Sequence, residues 1–219
     1  MSSVPASPVK SHSAASVLPR GFVYADMLIP GLCVDLAYFN THNFIGERIV
    51  GYEVNRLVLT EAATLALRKA QYDIARAGLG LKVFDGYRPQ RAVDRFVEWA
   101  HDPEDIRMRD TFYPHIAKER LFPEGYLLAR STHSRGSTLD LTLIDSLSHD
   151  ELDMGTHFDF FDPLSWPSCA EVSVLQRANR QLLRSLMHKH GFVGVDEEWW
   201  HFTFRHEPFP DTYFDFVIC

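Results

Sequence analysis

His133 and Asp140 lie seven residues apart in the stretch STHSRGSTLDLTL (131–143), on either side of Gly136. Imidazole nitrogens and a carboxylate are zinc ligands, and a glycine permits the tight backbone path that folds a turn histidine back over a strand. A third ligand of the same kind stands at His201 in WWHFTF (199–204). Two imidazoles and one carboxylate leave a fourth tetrahedral position open, and open sites of this kind are catalytic rather than structural. Zinc held there acidifies a water and polarises a carbonyl, so the chemistry to expect is hydrolysis, with a carboxylate carrying the proton to the leaving group. Glu198, three residues before His201, is a candidate base, and Glu197 and Asp196 compete with it. In an unbroken strand Glu197 shares the face of His201 and Glu198 needs a bulge or loop, so spacing alone does not choose between them. Arg88 in FDGYRPQ is the candidate for stabilising negative charge on the carbonyl oxygen, because a strand-to-helix turn can hold an arginine rigidly toward a groove.

Taken singly, each of these residues has a plainer explanation. A strand histidine is more often a core or surface residue than a ligand, and among 11 histidines some pairing by chance is expected. Arg88 alone would be a structural ion-pair residue, and Asp140 a turn or cap acid. The joint pattern carries the case.

The elements that must position these residues can be read from periodicity. Thr60 is a plausible N-cap for a helix through TEAATLALRKAQYDIARAG, with Gly78 at its stop. LKVFD (81–85) reads as a strand, GYRP (86–89) as a turn, and Pro89 as the start of a second helix with an apolar stripe of Ala92, Val93, Phe96, Val97 and Ala100. TLDLTL (138–143) alternates, with its leucines on one face and Asp140 at the centre of the other. A helix is expected between about 170 and 190, with Val172, Leu175, Ala178, Leu182 and Leu186 on its buried side, followed by a strand over 199–204. Together these predict an α+β domain with a central antiparallel sheet, helices packed on one face and a groove on the other.

Bulk properties narrow the function classes. At 219 residues with 46% hydrophobic and 23% charged composition, the chain is an ordinary globular protein. A net charge of -7 argues against a nucleic-acid partner and favours a small substrate. Three widely spaced cysteines form no CxxC pair. There is no apolar run near the roughly 20 residues of a membrane span. Residues 1–20, rich in Ser, Ala and Pro, read as a disordered tail, and 21–219 as one domain. Without a continuous apolar signal segment the expected compartment is the cytoplasm, with the periplasm as the alternative.

SxHxxGxxxD followed by ExxH resembles the zinc D-alanyl-D-alanine peptidases, the group that includes lysostaphin-type endopeptidases and the hedgehog signalling domain. Within it, the chain is most similar to the D-alanyl-D-alanine dipeptidases, among them those of vancomycin resistance. The matching text is VDLAYFNTHNFIG (34–46), VFDGYRPQRAV (83–93), STHSRGSTLDLTL (131–143), MGTHFDFF (154–161), GFVG with EWWHFTF (191–204) and EPFPDTYFDF (207–216). The resemblance implies a hedgehog/DD-peptidase fold and one zinc ion per chain held by His133, Asp140 and His201. It also implies Glu198 as base, Arg88 at the oxyanion, and substrate contacts from Tyr38, Ser131 and Asp159. The implied reaction is hydrolysis of D-alanyl-D-alanine to two D-alanine. The alternatives are a carboxypeptidase or endopeptidase on peptidoglycan with the same metal site, or a zinc-holding module without catalysis. Thr132 departs from the small residue usual at its position. The N-terminal tail matches nothing in the family.

Overall fold

The computed structural model describes residues 18–219; most of the expected N-terminal tail, residues 1–17, lies outside them. A short ribbon opens the chain, with β1 (Phe22–Tyr24) antiparallel to β3 (Val58–Thr60). Between them lies the two-residue β2 (Cys33–Val34). The main sheet contains β2, β4 (Leu79–Asp85), β5 (Thr138–Asp145), β6 (Phe192–Gly194) and β7 (His201–Phe204), in the order β2-β4-β5-β7-β6. It is antiparallel except for the edge pair β2–β4, which runs parallel because β3 and helix α1 (Glu61–Ala75) intervene as a crossover.

Helix α1 starts where its sequence says it should, because the Thr60 side chain accepts from the Ala63 amide. It ends before Gly78, whose positive φ of 74° turns the chain into β4. Helix α2 (Gln90–Ala100) follows Pro89 and buries Ala92, Val93, Phe96 and Trp99, while Val97 stays half-buried. The short α3 (Arg109–Phe112) lies in the long connection to β5. Helix α4 (Val174–Lys189) begins later than expected, at a capping box in which Ser173 and Gln176 exchange side-chain and backbone hydrogen bonds.

The buried face of α4 also differs from the apolar stripe in its sequence. Arg180, Leu183, Leu186 and Met187 face inward, whereas Leu175 is 66% and Leu182 41% exposed. The reason is Arg180, whose guanidinium donates to the carbonyls of Met154, Leu164 and Trp166 at 2.6–2.9 Å and so docks the 154–166 loop. A buried guanidinium with each of its three nitrogens paired sets the phase of the helix.

Helices α1 and α4 touch each other; α1 packs on β4, and α4 on β5 and β6. Beneath them Leu81, Val83, Leu139, Leu141 and Leu143 are fully buried, each worth about 1.5–3 kcal/mol relative to an exposed side chain. The other face of β5 is covered as well: Thr138, Asp140 and Thr142 are at most 2% exposed. The expected groove is therefore roofed, by Tyr38 from the loop after β2, by Phe96 of α2 and by Phe158, which stacks on Phe84. Among the described residues no helix is long and apolar enough to cross a membrane.

Candidate active site

A row of side chains across three neighbouring strands forms the floor of the site. Asp140 of β5 is the register partner of His201 on one side and of Asp85 on the other. The second pairing depends on a register shift between Val83 and Asp85; without it Phe84 would oppose Asp140.

His133 reaches the same point from the 3-10 turn Thr132–Arg135. Ser131 caps that turn by accepting from the His133 amide, and Gly136 closes it at φ 80°. A Cβ at Gly136 would stand 2.1 Å from the Phe22 ring, so the tight path needs glycine for space as well as for conformation.

The three side chains converge with ligand atoms all within 4.8 Å of one another. His133 Nδ1 lies 2.8 Å from the Gly86 carbonyl, which can only accept, so Nδ1 donates there and Nε2 is the nitrogen turned into the cluster. That Nε2 faces Asp140 Oδ2 at 3.2 Å and His201 Nδ1 at 3.3 Å. Asp140 Oδ1 is buried and accepts no hydrogen bond, although His201 Nδ1 stands 3.1 Å away. Two ring nitrogens converging with a carboxylate oxygen that lacks a hydrogen-bond partner fit a divalent cation with tetrahedral preference. Burial works against the charge of Asp140, but the facing His133 and His201 imidazoles outweigh it and hold the carboxyl well below the usual range.

Glu198 places Oε2 3.5 Å from His201 Nδ1. Burial pushes its carboxyl up to about 8, the charge of Asp140 adds to the shift and Arg88 opposes it. Residues 195–200 lie outside the strand, which begins only at His201, so the parity that separated Glu197 from Glu198 does not operate here. Glu197 is exposed at the cavity mouth, and Asp196 is exposed and paired with Arg184.

Arg88 follows the β4 turn. Its Nε donates to Asp85 Oδ2 at 2.8 Å, its Nη2 lies 3.5 Å from Asp140 Oδ2, and its guanidinium covers the Tyr38 and Phe96 rings. Tyr38 donates to Asp159 Oδ2 at 2.8 Å. Asp159 is buried with φ at 59°, a left-handed conformation that costs a non-glycine residue about 1–3 kcal/mol and that clusters at functional sites. Burial raises its carboxyl well above the usual range, reinforced by Asp140 and Glu198. Arg88, Tyr38 and Asp159, with Ser131, Glu198 and the His133-Asp140-His201 cluster, line one cavity of about 210 Å³, below the roughly 300–1,000 Å³ of sites for drug-sized ligands.

The family model of the D-ala-D-ala dipeptidases matches residues 19–219. The chain belongs to this family. It is 42% identical over 201 residues to the D-alanyl-D-alanine dipeptidase of Enterococcus faecalis, covering 92% of this chain and 100% of that protein. Identity to the Streptomyces coelicolor D-alanyl-D-alanine dipeptidase is 45% over 198 residues, and to that of Enterococcus faecium 40% over 198, each covering 90% of this chain and 98% of the relative.

In this member of the D-ala-D-ala dipeptidase family the structure gathers His133, Asp140, His201, Glu198, Arg88, Tyr38, Ser131 and Asp159 around one cavity. Sequence reading overlooked Asp85, which lies behind the cavity between Arg88 and Tyr52. Its signal was present in FDGYRP: an acid at the buried end of a strand, three residues before a buried arginine. Trp200 is buried and also lines the cavity, and Tyr126 and Leu127 close it from the 121–131 loop. No periodicity marks that loop, because its residues are placed by tertiary contact alone.

Proposed function

We propose that this protein hydrolyses D-alanyl-D-alanine to two D-alanine with one zinc ion held by His133, Asp140 and His201. The observation that supports this most is the small roofed cavity in which a buried acid, Asp159, shares the space with the His-Asp-His cluster. When bound, zinc supplies Lewis-acid polarisation of the scissile carbonyl and lowers the pKa of water. Glu198 takes the proton from the attacking water and delivers it to the nitrogen of the leaving amine. The Nη edge of Arg88 faces the carbonyl oxygen and stabilises the negative charge that develops there.

Asp159, oriented by the Tyr38 hydroxyl, pairs with the free ammonium of the dipeptide, and Ser131 donates to its carboxylate. An acylated amine cannot satisfy Asp159, so a longer chain leaves that acid buried and unpaired. Phe96, Tyr126 and Leu127 border the same cavity and limit the room for a longer chain. The test is release of D-alanine from D-alanyl-D-alanine and from its N-acetylated form, with zinc content measured on the same sample. The free dipeptide is expected to be preferred by at least about 10²-fold; preference for the acylated form would indicate a carboxypeptidase and sink the dipeptidase reading.

A further inference from the structure

We propose that Asp85 and Tyr52 form a positioning pair that sets the direction of Arg88, an inference that rests on the reading of Arg88 as the oxyanion donor. Asp85 is fully buried at the end of β4. Its Oδ1 accepts from the Tyr52 hydroxyl at 2.7 Å and its Oδ2 from Arg88 Nε at 2.8 Å. Tyr52 is also fully buried and packs its ring on Tyr38, with centroids 5.8 Å apart. The carboxylate therefore cannot rotate without giving up one of two short hydrogen bonds in a site closed to water.

A guanidinium is a rigid planar fork, so fixing one edge fixes the other. With Nε held by Asp85 and the plane laid over Tyr38 and Phe96, the Nη edge is left facing the cavity. Asp140 Oδ2, at 3.5 Å from Nη2, is the competing acid. Without Asp85 the buried guanidinium has Asp140 as its nearest remaining carboxylate, and pairing there would turn it away from the carbonyl oxygen and against the metal-ligand set.

The pair can be tested with Asp85→Asn and Tyr52→Phe, each alone and each combined with Arg88→Ala. The readouts are kcat, KM, zinc content and the solvent exchange of the Arg88 Nε–H by NMR. Asp85→Asn is expected to lower kcat by about 10–10²-fold, with KM changed less than about two-fold and zinc retained. Tyr52→Phe should act in the same direction and less. Each double variant is expected to be no slower than Arg88→Ala alone, since a residue acting through Arg88 has nothing left to act on. A merely structural acid gives additive losses instead. The Nε–H is expected to exchange slowly in the parent protein and quickly in both single variants. This readout needs no turnover, so an inactive parent protein refutes the dipeptidase reading without touching the positioning one. Unchanged kcat in Asp85→Asn, additive losses, or a protected Nε–H in that variant overturns the proposal. If Asp85→Asn does not fold, the Tyr52→Phe cycle decides by the same criteria.

Discussion

At the scale of single residues, the site separates acids by their surroundings. Asp140 is held ionised by two imidazoles, whereas Glu198, half-buried beside it, is pushed up to about 8. One carboxylate can thus stay a ligand while another accepts and returns a proton. Glu198→Gln is expected to lower kcat by about 10²–10⁴-fold with zinc content unchanged, as checked by elemental analysis beside a D-alanine assay. Asp159→Asn tests recognition rather than chemistry. On the proposed pairing of Asp159 with the ammonium, this substitution should raise KM for D-alanyl-D-alanine about 10–100-fold and leave the N-acetylated dipeptide as poor a substrate as before or a better one. The ligand candidates, Arg88 and one candidate base were legible in the sequence because residue type and spacing restrict them strongly. Asp85 and Tyr52 were not, since a buried acid announces itself only through partners that are distant in the chain, such as Tyr52.

At the scale of elements, strand parity and helix caps were readable, and helix phase was not. The alternation in β5 placed Asp140 opposite the leucine face, as the structure has it, and Thr60 marked the start of α1. The stripe in α4 misled because a buried Arg180 satisfied by three carbonyls outranks an exposed Leu175. The parity argument over 196–201 failed for a related reason: the segment before His201 is loop, fixed by contacts such as the Trp199 amide on the Ser165 carbonyl. Two substitutions separate support from site. Ser173→Ala removes the capping box of α4 and is expected to cost about 1 kcal/mol in chemical unfolding, with kcat/KM intact because the helix lies on the far face of the sheet. Gly136→Ala puts a methyl group into the Phe22 ring at a left-handed position. It is expected to cost at least about 1–3 kcal/mol and also to weaken zinc binding, because His133 hangs on the turn that Gly136 closes; calorimetric titration with zinc reads the second effect.

At the scale of the whole molecule, the sheet and the aromatic clusters on its two faces bring together residues from the start, middle and end of the described chain. The C-terminal segment takes part: the Phe214 amide donates to Ser134, and the Arg91 side chain is clamped to Asp215. Chelation is expected to abolish D-alanine release, and zinc to restore it. Zinc at 100 times its dissociation constant should stabilise the fold by about 2.7 kcal/mol, seen as a rise in Tm. The row Asp85–Asp140–His201 has a kinetic consequence. Each of its members comes from a different strand, and the two pairings that align them join segments distant in the chain. Such pairings close late because loop entropy must be overcome first. On the proposed ligand set, a nascent or refolding chain is therefore expected to bind zinc poorly until β7 has zipped onto β5, so that ion capture would date that pairing.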